Sequence, residues 1–68
     1  MNTFMQVILS RVLSEEIAQQ ELWQREDEKN FGKDMSDRSS YVAEIKQFMK
    51  DNGIEFKEHF YLEKLMRG

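Results

Sequence analysis

Sixty-eight residues, a net charge of −3 and no cysteine set narrow bounds. They allow one small domain over residues 1–68 and exclude a disulfide framework or a cysteine-based zinc site. A chain of this length buries only about 60% of its unfolded surface. Five Phe, two Tyr, one Trp and five Met are more than so small a core hides, so self-association is expected.

Residues 2–30 have the composition of one long helix. Met1, Phe4, Met5, Ile8, Leu9 and Val12 share a face, to which Leu22 and Trp23 return. Met1, Met5, Ile8, Val12 and Leu22 also fall on a three-four seam, which Glu15 and Gln19 interrupt. Ser14-Glu15-Glu16 has the form of a helix start, so the spacing allows a break there, with residues 3–13 as a separate element. The longest purely apolar run, Val7-Ile8-Leu9, falls far short of the ~20 residues that span a bilayer. The N-terminal segment has no basic n-region and no small-residue cleavage site, so neither a secretory leader nor a membrane partner is expected. Together with the lack of cysteine this points to a cytoplasmic location.

Charge is unevenly placed. Glu15, Glu16, Glu21, Glu26, Asp27 and Glu28 stand against Arg25 and Lys29, which leaves −4 on residues 14–31. Such a stretch is first a solvated helix surface and second a face that could block a nucleic-acid-binding protein.

Gly32 and the turn-forming Asp34, Ser36, Asp37 and Ser39 predict a loop over 32–39 that lets two helices fold back on each other. A second helix is expected at about 40–52. Ser40 would cap it, and Tyr41, Val42, Ile45, Phe48 and Met49 form its apolar stripe. Asn52-Gly53 would end it in a left-handed cap, bringing Ile54 against Met49. The apolar stripes 1–12 and 41–49 are expected to supply most of the core.

Residues 55–66 read as a third helix. The alternative is an α+β chain with 54–62, and also 3–13, as strands. The fold class that follows is all-α, a small helical bundle or helical hairpin.

No catalytic pattern stands out. The single His59 lies in no serine- or cysteine-based arrangement, and the glycines are not clustered. Glu55, His59 and Glu63 would line one face of a helix, but the spacing fits a surface histidine between carboxylates better than a metal site. A helix–turn–helix can be laid over residues 45–64 with Gly53 in the turn. Met49, Asn52 and His59 do not suit its packing positions, and the second segment is as acidic as it is basic. The residues point to a non-enzymatic protein–protein interaction module without cofactor or metal: an adaptor, inhibitor or regulator, self-associating or docked on another protein. Trp23, Phe31, Phe56, Phe60 and Tyr61 are its candidate partner-binding residues, because aromatic anchors dominate interface energetics. The alternatives are a DNA-binding regulator of helix–turn–helix type and an acidic-face blocker.

Overall fold

The computed structural model describes residues 2–67. Three helices follow one another: α1 (Thr3–Phe31), α2 (Arg38–Asp51) and α3 (Glu58–Arg67). The fold is all-α, with no strand among the described residues. Both segments with an alternative strand reading, 3–13 and 54–62, are otherwise: the first is helical, and the second is a turn that runs into α3.

α1 is continuous through Ser14. Its start is fixed by Asn2, whose side-chain oxygen accepts from the Met5 N–H at 2.9 Å. Its end is fixed by Gly32 at φ 77°, where the glycine N–H reaches the Glu28 carbonyl. Ser14 starts no new helix, because its hydroxyl has a partner far away in sequence. It accepts from the Lys57 N–H at 2.9 Å, and one turn earlier Ser10 donates to the Glu55 carbonyl.

α2 starts two residues before the expected Ser40 cap. Asp37 sits at the cap in left-handed conformation and makes no side-chain cap bond; instead the Asp34 carboxylate accepts from the Ser39 N–H at 3.1 Å. The helix stops as the Asn-Gly pair predicts. Gly53 has φ 65°, its N–H bonds Lys50 O, and the Ile54 N–H bonds Met49 O at 2.8 Å. This double bond is the Schellman closure. A Cβ at Gly53 would meet only the Gln6 amide at an ordinary 3.5 Å, so the penalty for Gly53→Val lies in the backbone. The variant is expected to lose about 1 kcal/mol or somewhat more, measured as a shift of the urea midpoint with unchanged slope.

α2 returns antiparallel along α1. Asp27 joins Arg38 and the Met35 N–H at one end of the pair, and the Gln6 amide reaches the Asn52 and Gly53 carbonyls at the other. Ile17, Val42, Ile45, Met49 and Ile54 form the buried core, with Leu9, Leu13 and Tyr61 packed against it. The stripe of α2 therefore enters the core as expected, except for the exposed Tyr41 and Phe48.

Of the stripe at residues 1–12, only Leu9 reaches the core. Phe4, Met5, Ile8 and Val12 are all exposed, and α1 turns Ser10, Ser14, Ile17 and Ala18 inward instead. Met1, assigned to the same stripe, lies outside the described residues.

α3 begins three residues later than the sequence suggests, because the two serines of α1 hold residues 55–57 in an open turn. It contributes no fully buried residue. α2 and α3 each pack on α1 and not on one another. The result is a plate of 42 × 24 × 12 Å with a radius of gyration of 12.8 Å, against about 11 Å for a compact domain of this length. The long axis matches the ~43 Å expected for the 29 residues of α1. Among the described residues no helix is long and apolar enough to cross a membrane.

Candidate interaction surface

Two surfaces stand out, one on each side of α1. On the inner side lies a groove of about 480 Å³ between α2 and α3. It is lined by Ile17 and Glu21 of α1, by Lys46, Met49 and Lys50 of α2, by Ile54 and Phe56 of the following turn, and by Tyr61 of α3. The Phe56 and Tyr61 rings meet at 5.4 Å between centroids, inclined by 58°, within the favourable tilted range.

The Tyr61 hydroxyl donates to the Glu21 carboxylate. That bond, with burial and the nearby negative charge adding to it, raises the Tyr61 pKa above its ordinary value of 10.0. A raised phenol pKa means that folding favours the protonated ring. The resulting stability is present below the unfolded value and is lost as pH climbs through the folded one. Stability is therefore expected to fall above about pH 10, and Tyr61→Phe to flatten that fall while lowering stability at neutral pH. Denaturation midpoints of both proteins across this range check it.

On the outer side, Phe4, Ile8 and Val12 succeed one another at four-residue steps, with Met5 beside them. Phe4 is 72% exposed, Ile8 40% and Val12 52%. On a helix these positions form one stripe, open to solvent and flanked at Val12 by Lys64 of α3. Single apolar side chains in water are ordinary on a monomer; these four lie together on one helix face. α3 adds Leu62 and the 86% exposed Met66, which widen its apolar stripe past the part that touches α1.

The five aromatic residues named from the sequence do not form one surface. Phe56 and Tyr61 come together in the groove. Phe60 lies under the Arg11 guanidinium at 5.1 Å. Trp23 carries the Arg38 guanidinium at 5.6 Å, far along α1 beside the hairpin loop, and Phe31 is exposed at the end of that helix. Periodicity alone places the outer stripe in the core. The signal that distinguishes it is the seam itself, which runs from Met5 to Val12 and then into Glu15 and Gln19.

The acids of residues 14–31 are spread around α1. Glu15 pairs with Arg11 at 3.0 Å, Asp27 with Arg38, and Glu21 with the Tyr61 hydroxyl. Glu55 lies in the turn before α3 and pairs with Lys57 at 3.1 Å, so it does not continue the helical line of His59 and Glu63. Among the described residues no three His, Cys, Asp or Glu side chains are grouped as a metal site. The connection over 52–57 is longer than the three- to four-residue turn of a helix–turn–helix. Comparison with protein-family models, with curated proteins and with solved structures finds no match to this chain.

Proposed function

We propose that this protein is a non-enzymatic interaction module, acting as adaptor, inhibitor or regulator, whose outer α1 face is completed by another polypeptide. The observation that carries this reading is the uncovered stripe of Phe4, Met5, Ile8 and Val12 on a helix whose opposite side is already packed. The polar chemistry of the fold supports it. The two buried hydroxyls, Ser10 and Ser14, are held by the backbone of residues 55–57, and Glu21 in the groove is engaged by Tyr61. Neither arrangement leaves a nucleophile beside a base.

The test compares the wild type with a Phe4→Asp/Ile8→Asp variant. Both side chains lie outside the core, so the variant is expected to keep its helical circular dichroism. The wild type is expected to bind a polypeptide, either itself or a protein retained from native lysate, and the variant to lose it. Capture that is the same for both proteins, or a wild type that stays monomeric and retains nothing, would overturn the proposal.

A further inference from the structure

We infer that the groove between α2 and α3 is a binding site for a small anionic amphiphile, a carboxylate on a short alkyl chain, free in solution. Its head lies at Lys46 and Lys50 and its tail on the apolar lining. The site is separate from the outer face of α1 and goes beyond the function proposed for that face.

The groove follows from the topology. α2 and α3 each pack on α1 and share no contact, so a strip of the core is left open between them. Ile17, Met49 and Ile54 belong to the buried cluster and also line this space. Phe56 extends the apolar lining and is still 42% exposed, so a tail laid on it removes further apolar surface from water. The Met49 thioether side chain adapts to the shape of what it touches.

Size separates a small molecule from a protein partner. A volume of about 480 Å³ falls inside the ~300–1,000 Å³ of small-molecule sites, which combine an apolar lining with a few polar groups. A stable protein interface draws on about 20–30 residues a side, against the eight that line this space.

Charge gives the ligand its sign and direction. Lys46 and Lys50 stand one turn apart on the same face of α2. Neither forms an ion pair among the described residues. Glu21, the one carboxylate in the lining, accepts the Tyr61 hydroxyl. The lining therefore carries two cations against one acid, in a chain whose net charge is −3. An anionic head is drawn to the α2 lysines and repelled at Glu21, which leaves Met49, Ile54 and Phe56 to the tail. Lysine stems are apolar and their ammonium groups reach out to water, so both hold the head without being buried themselves.

The experiment is a titration with octanoate, followed by amide chemical shifts, with 1-octanol as the uncharged control. Octanoate is expected to shift the amides of Ile17, Lys46, Met49, Lys50, Ile54 and Phe56 saturably, and to leave those of Phe4, Ile8 and Val12 in place. Octanol is expected to move the same groove amides with an affinity lower by about three- to tenfold, the effect of two exposed charges. In Lys46→Gln/Lys50→Gln, octanoate should fall to the affinity of octanol, and octanol should bind as to the wild type. Both lysines are exposed, so this variant is expected to fold.

Equal affinity of the wild type for octanoate and octanol would overturn the inference. So would octanoate shifts as large at Phe4, Ile8 and Val12 as in the groove, or no saturable shift at millimolar octanoate. None of these results bears on the interaction-module reading, which stands or falls with the Phe4→Asp/Ile8→Asp variant.

Discussion

Ile17→Ala is expected to lower the melting temperature by on the order of 10–30 °C. Ile17 has no solvent exposure and is the one α1 residue in the buried cluster with Val42, Ile45, Met49 and Ile54. Removing its outer atoms deletes contacts to α2 and to the turn at once and leaves a cavity that neighbours fill only in part, at a cost of about 2–5 kcal/mol. A domain of this length has a total stability of about 3–10 kcal/mol. Ile8→Ala is the control: the same chemical change on the outer face is expected to shift the midpoint little in dilute solution. Thermal unfolding at low micromolar concentration decides between them, and equal shifts would contradict the packing described above.

Ser14→Ala should have the second-largest effect, and a local one. The Ser14 hydroxyl is fully buried and accepts from Lys57 N–H. The Lys57 carbonyl in turn accepts from the N–H groups of Phe60 and Tyr61, in the first turn of α3. Loss of the hydroxyl leaves a part-buried donor without its partner, which costs about 1–3 kcal/mol where water cannot replace it. α3 has no buried side chain to offset that, so it is expected to open before α1 and α2 separate. Amide hydrogen exchange reads this out: protection of Lys57 and of residues 58–67 should fall, while that of Val42, Ile45 and Met49 is largely retained. Uniform loss across all three helices would mean that α3 is part of a single cooperative unit.

Where a structural signal is local, the sequence shows it. The Asn-Gly stop of α2, its Ile54 contact and the Gly32 end of α1 all follow from the one residue type that takes a positive φ without strain. The helical class follows from composition and periodicity. Ser14 is different. A serine followed by two glutamates looks the same whether it begins a helix or lies inside one, and the reason for its burial is a backbone group 43 positions later. The start of α3 is hidden for the same cause.

The outer stripe shows a second limit. Periodicity identifies which side of a helix is apolar but not whether anything covers it. Of the five aromatics proposed as contacts, Trp23 and Phe60 have cationic neighbours within the chain. In the first three turns of α1 it is Phe4, Met5, Ile8 and Val12 that face water together, while Leu9 and Leu13 pack on the core.

α1 is a spine from which two arms hang independently, since α2 and α3 share no interface of their own. Force applied along the chain from the C-terminal end is thus expected to strip the shorter arm first and leave the hairpin clasped. A probe that stretches single molecules would record two separate rips.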